Sequence, residues 1–101
     1  MLRDFFLGMV KIHILYHASK EEVYGVALME ELGRHGYQLG PGTLYPVLHG
    51  LEAEGLLFSE RRSVHGKMRR YYRITEKGEA ALWEARAKVR ELVREILELE
   101  L

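Results

Sequence analysis

Between Arg61 and Arg73 the chain carries six basic side chains (Arg61, Arg62, Lys67, Arg69, Arg70 and Arg73) and no acidic one. A cationic run of that density suits a phosphate backbone, where each contact releases a condensed counterion. A second cluster lies upstream: Thr43, Tyr45, Pro46 and His49. Thr and His can hydrogen-bond to base edges, and Pro or Tyr can pack on a thymine methyl. A single Arg on a strand usually does no more than solvate an exposed sheet face. Six cations without an acid between them are harder to account for that way, although Glu60 and Glu76 flank the run and can neutralise its ends.

Other chemistries find little support. His13 and His17 have the i, i+4 spacing of a helical metal site, but the chain has no cysteine and no third ligand stands out in the sequence. No metal and no cofactor is therefore expected. No nucleophile–base pair or pair of catalytic carboxylates is evident. Gly40-Pro41-Gly42 follows no strand, so it reads as a helix start and not as a phosphate loop. An enzyme is not expected.

The chain has 101 residues, the length of one domain, and a formal net charge of zero. Charge distribution, not its sum, then decides whether one edge attracts a polyanion. No apolar run is long enough to cross a bilayer. The N-terminus lacks the pattern of a secretory signal, so a cytoplasmic location is expected.

The elements that must position these residues follow from periodicity. Phe6, Leu7, Val10, Ile14 and Leu15 predict a helix over 3–18; Phe5, Met9, Ile12 and Tyr16 widen its apolar surface beyond one stripe. Ser19 to Val23 break the pattern, as a capping box or a loop. A second helix is predicted over 24–35, with Val26, Leu28, Met29 and Leu32 inward and Gly36 as its stop. A third is predicted over 41–54, with Pro41 at its first position and Leu44, Val47, Leu48 and Leu51 inward. Gly42, Thr43, Tyr45, Pro46, His49 and Gly50 then face outward. Gly50, costly inside a helix, suggests close approach of DNA or of the second helix. Residues 56–63 and 68–74 read as strands joined by Val64-His65-Gly66-Lys67. Thr75 is an N-cap for a long helix that runs nearly to the end.

Three helices, a hairpin and a long helix make a mainly α chain of winged helix-turn-helix type. The expected division is 1–75 for the winged domain and 76–101 for a C-terminal dimerisation helix. In such a domain the third helix enters the major groove. Lys67, Arg69, Arg70, His65 and Gly66 of the hairpin would meet phosphates or a minor groove.

Leu82, Ala85, Val89, Leu92, Ile96 and Leu99 recur in steps of three and four, the a/d seam of a helix pair. The surplus apolar surface of the first helix suits the same interface. Cations lie in the front half of this segment (Arg86, Lys88, Arg90), and the back half carries Glu91, Glu95, Glu98 and Glu100 against Arg94. Two such helices attract when antiparallel. Trp83, off the seam, is expected to pack on a neighbouring helix or the wing; the alternative is the wall of a ligand pocket at the dimer interface.

Three segments together resemble the PadR family of transcriptional regulators. They are Tyr24-Gly25 with Leu28 and Glu31-Leu32; Pro41-Gly42-Thr43-Leu44-Tyr45-Pro46-Val47-Leu48-His49, continuing through Leu51-Glu52 and Glu54-Gly55-Leu56; and Arg69-Arg70-Tyr71-Tyr72-Arg73-Ile74-Thr75 with Lys77-Gly78. The resemblance covers roughly residues 5–82. It implies a homodimer that represses by binding a palindromic operator in double-stranded DNA. It places DNA contacts at Thr43, Tyr45, Pro46 and His49 of the third helix and at Gly66, Lys67, Arg69 and Arg70 of the wing. It also implies, for some members, a small aromatic effector near the dimer interface. Two departures stand out: Gly50 occupies a position that is basic in many relatives, and His65-Gly66-Lys67-Met68 replaces a common Gly-Arg-Pro wing. The rival reading is a winged-helix protein-interaction module that does not bind DNA. The basic run argues against it.

Overall fold

The first helix, α1 (Leu2–Lys20), carries apolar residues on more than one face. Val10, Ile14, Leu15 and Ala18 are buried in the core, while Phe5 and Tyr16 are exposed. The computed structural model describes residues 1–100; Leu101, the last residue of the expected C-terminal segment, lies outside them. The helix runs past the expected break. Ser19 Oγ donates to the Tyr16 carbonyl at 2.5 Å instead of capping a new helix, so the capping-box alternative does not hold.

The next segment does something the periodicity missed. Val23 forms an isolated antiparallel bridge to Tyr72, with paired backbone bonds of 3.0 and 2.8 Å. One residue of edge pairing thus anchors the chain to the hairpin before α2 (Gly25–Arg34) begins. Leu28 and Leu32 define the buried stripe of α2, and Val26 is exposed, contrary to expectation. At about 100° per residue Val26 lies nearly opposite Leu28.

Helix α3 (Pro41–Ala53) starts at the expected proline and buries Leu44, Leu48 and Leu51. Helices α2 and α3 close with the same two-bond motif. Tyr37 N–H bonds to the Leu32 carbonyl after Gly36, and Leu56 N–H bonds to the Leu51 carbonyl after Gly55. Both glycines have positive φ, as that closure requires.

Strands β1 (Leu57–Val64) and β2 (Lys67–Ile74) pair antiparallel from Leu57↔Ile74 to Val64↔Lys67. The link is therefore two residues, not four. His65 (φ 51°) and Gly66 (φ 79°) are both left-handed, the geometry whose twist matches the flanking strands. Leu57 and Tyr72 fill the core under the hairpin base.

Helix α4 (Glu76–Ile96) is fastened at its start. Thr75 Oγ1 accepts from Gly78 N–H at 2.9 Å and donates to the Gly55 carbonyl at 2.6 Å, while Lys77 Nζ donates to the Glu54 carbonyl at 2.8 Å. Gly78 and Leu82 are buried with the winged domain, so its core extends past residue 75. Beyond them α4 projects from the domain, and the molecule as a whole measures 52 × 28 × 21 Å. The expected seam is split accordingly. Leu82 belongs to the domain core and Ala85 is half-buried, whereas Val89, Leu92 and Ile96 are exposed. Leu99 is exposed too, but follows the helix end. Trp83 is 72% exposed and packs on neither a helix nor the wing. It sits one residue past Leu82, on a side of α4 left open among the described residues.

Candidate nucleic-acid interface

Gly42, Thr43, Pro46, His49 and Gly50 fall within one arc of α3, opposite its Leu44–Leu48–Leu51 face. Gly42, Pro46, His49 and Gly50 are exposed and Thr43 is half-buried. A side-chain carbon built on Gly50 would meet nothing within 4 Å, so α2 does not account for that glycine. Tyr45 departs from the expected outward set. Its ring packs on the start of α2, where a methyl group on Gly25 would lie 2.7 Å from its Cζ. Gly25 is small because Tyr45 needs the space.

A groove of about 420 Å³ runs along the same face of α3, with Arg3, Leu7 and Lys11 of α1 on its other side. Arg3 and Lys11 were not among the expected site residues. Their signal was available, since positions 3, 7 and 11 are successive i, i+4 steps on one helix face. What the sequence did not show is that this face of α1 lies beside α3.

The hairpin sorts its cations. Arg62 is neutralised by Glu22, with which it pairs closely, and by Glu60 at 3.2 Å; it also lies 4.0 Å over the Tyr71 ring. The hydrogen bond to Glu22 holds its pKa above the ordinary arginine value. Arg69 is half-buried, 4.6 Å over the Tyr24 ring, and Tyr24 packs edge-on against Tyr71. Arg70, on the other face, donates to Ser59 Oγ at 3.0 Å, and Ser59 in turn donates to Glu52 of α3 at 2.8 Å. That chain fixes the hairpin to the end of α3. Arg61, Lys67 and Arg73 make no ion pair among the described residues and are exposed. His65 and Gly66 form the exposed tip beside Lys67.

The six-cation run is thus not six equivalent contacts. Neutralisation at one end by Glu60 was legible from the sequence; neutralisation by Glu22, 40 positions away, was not. A second concave surface, of about 810 Å³, lies along the projecting part of α4 and is lined by Trp83, Arg86, Arg90 and Arg94 among others. No helix of the described residues is long and apolar enough to cross a membrane.

Comparison with known proteins places this fold in a family. Residues 14–84 match the Transcriptional regulator PadR-like family. The chain is 55% identical over 96 residues to Transcriptional regulator Rv3488 of Mycobacterium tuberculosis, covering 95% of this chain and 90% of that one. Among solved structures, a PadR family transcriptional regulator from Eggerthella lenta superposes with a TM-score of 0.82 at 35% identity, covering 99% of this chain and 91% of that one. A PadR-like transcriptional regulator from Bacillus cereus superposes with a TM-score of 0.75, also at 35% identity, covering 92% and 95% of the two chains. With a fold and a family match that both span most of its length, the chain belongs to the PadR-like family of transcriptional regulators, a family of regulators and not of enzymes.

Proposed function

We propose that two copies of the chain bind a palindromic operator in the cytoplasm and repress transcription. The two α3 helices would enter major grooves about 34 Å apart or a multiple of that. The observation that carries this reading is the open face of α3 beside a hairpin whose Arg61, Lys67, Arg69, Arg70 and Arg73 form no ion pair among the described residues. Within it Thr43, Pro46 and His49 read bases, and Lys67, Arg69 and Arg70 with the Gly66 tip hold the phosphates, joined by Arg3 and Lys11. Tyr45 contributes by holding α3 at its angle to α2.

Selection of bound sequences from random duplex DNA tests the reading. A two-fold symmetric site is expected. Thr43→Ala and His49→Ala should each relax preference at particular base pairs by about 1–3 kcal/mol, the worth of one base-edge contact. Retention of no duplex even at low salt would favour the protein-interaction alternative.

Pairing is assigned to Val89, Leu92 and Ile96 on the projecting part of α4, with Leu82 and Ala85 at its root, Leu99 at its end and exposed apolar residues of α1 alongside. The charge gradient along α4 favours an antiparallel crossing. Leu92→Glu should halve the mass seen by light scattering, because it sets two carboxylates into an apolar seam. A wild-type chain that already scatters as a monomer would remove the dimer from the proposal. The Trp83 concavity on α4 adjoins that seam, and a small aromatic effector would sit there.

A further inference from the structure

Where α1 crosses α2, three imidazoles meet. His13 and His17 stand one turn apart on α1 and are half-buried; His35 closes the C-terminus of α2. One nitrogen from each ring lies within 4.8 Å of the other two. Glu31, one turn before His35, turns its Oε1 into the same space, 3.9 Å from His17 Nε2 and 3.5 Å from His35 Nε2. Its other oxygen is held by Arg34. The sequence offered only the His13–His17 pair; packing of α2 on α1 supplies the rest.

One atom in this cluster is out of balance. His17 Nε2 is buried and has no hydrogen-bond partner among the described residues, since 3.9 Å from Glu31 is too long for one. Buried polar nitrogens are seldom left this way, because losing water without a replacement is costly. Stacking accounts for the rings, with His13 and His35 centroids 5.0 Å apart and Tyr37 edge-on to His13 at 5.0 Å. It does not account for the orphaned nitrogen, nor for an acidic oxygen turned towards two imidazoles.

We propose that His13, His17 and His35 bind a divalent transition-metal ion of the zinc type, with the Glu31 carboxylate as fourth ligand, tying α1 to α2. Three nitrogens and one oxygen suit a borderline ion such as Zn²⁺. Ca²⁺ and Mg²⁺ need more oxygen, and no thiolate is present for softer ions. Tetrahedral ligation at about 2.0–2.1 Å places ligand nitrogens roughly 3.3 Å apart. The three ring nitrogens start within 4.8 Å of one another, so binding draws them closer. Arg34 on the far oxygen orients the carboxylate, as outer partners commonly do in metal sites.

The site can be tested without reference to DNA. The full chain, stripped with chelator and desalted, would be titrated calorimetrically with ZnCl₂ and its thermal unfolding followed with and without the ion. Saturable binding of one ion per chain and a rise in Tm reversed by chelator are expected, because an ion that binds only the folded state stabilises it. His17→Ala and His35→Ala should each weaken binding by at least about tenfold. His35 is 46% exposed, so its variant keeps the fold, which circular dichroism would verify. His49→Ala and His65→Ala, on the outer face of α3 and the hairpin tip respectively, should leave zinc binding unchanged. Absence of saturable binding, or binding that survives both His17→Ala and His35→Ala, overturns the assignment.

Discussion

Gly78→Ala should lower the melting temperature on the order of 10 °C or more, although it adds one methyl group. The new carbon would overlap the Leu56 carbonyl oxygen and lie 2.7 Å from Ile74 Cγ1. A crowded side-chain tip can rotate away, but a backbone carbonyl cannot. The Leu56 carbonyl is moreover committed to Thr75 N–H at 3.1 Å, and Thr75 caps α4 while bonding to the Gly55 carbonyl. Relief therefore requires α4 to move off the end of α3, which strains that cap and the Lys77 bond to the Glu54 carbonyl together. Overpacking in cores costs about 1–3 kcal/mol, and a backbone obstacle puts this case at the upper end. Gly50→Ala is the contrast: its methyl group meets nothing within 4 Å, and helix propensity favours alanine by up to about 1 kcal/mol. Circular dichroism melts of the two variants should move in opposite directions. Equal melting of Gly78→Ala and wild type would mean that α4 does not seat where the structure has it.

Removing the wing cations should have the largest effect on DNA. For the double variant Lys67→Ala, Arg70→Ala, the log–log dependence of affinity on salt is expected to flatten by about 1.8, at roughly 0.9 per phosphate contact. A fourfold change in salt would then alter affinity about tenfold less than in the wild type. The loss should be similar for all sequences, because phosphates carry no base identity. Arg62→Ala supplies the internal control. Arg62 is already neutralised by Glu22 and Glu60, so its removal should leave the slope close to wild type. Fluorescence anisotropy on a short duplex at several salt concentrations measures both. A slope change for Arg62→Ala as large as that for the double variant would show that the ion pairs do not persist, and that charge count alone describes the wing.

The contrast between Arg62 and Lys67 illustrates what was legible beforehand. Both are basic residues of one hairpin, and the sequence treats them alike. The strands themselves, their turn at His65-Gly66 and the N-cap at Thr75 were readable, because a turn or a cap draws on residues a few positions apart. The buried Leu44–Leu48–Leu51 stripe was readable for the same reason, since helical geometry fixes which neighbours share a face. The candidate interface was half legible. Thr43, Pro46, His49 and Lys67 lie on exposed faces as periodicity required, while Tyr45 does not.

Sequence by itself determined the order and type of the elements, the residues that punctuate them and the family to which they belong. Tertiary structure alone decided which side chains remain free. It set Tyr45 over Gly25, gave Arg62 to Glu22, drew Leu82 into the domain while leaving Trp83 outside, paired Val23 with Tyr72, and brought His35 to His13 and His17. The physical reason is one of range. Backbone geometry repeats over three or four residues and can be read along the chain, whereas the partner of a side chain depends on how whole helices pack, and that is fixed by the summed burial of residues far apart in sequence.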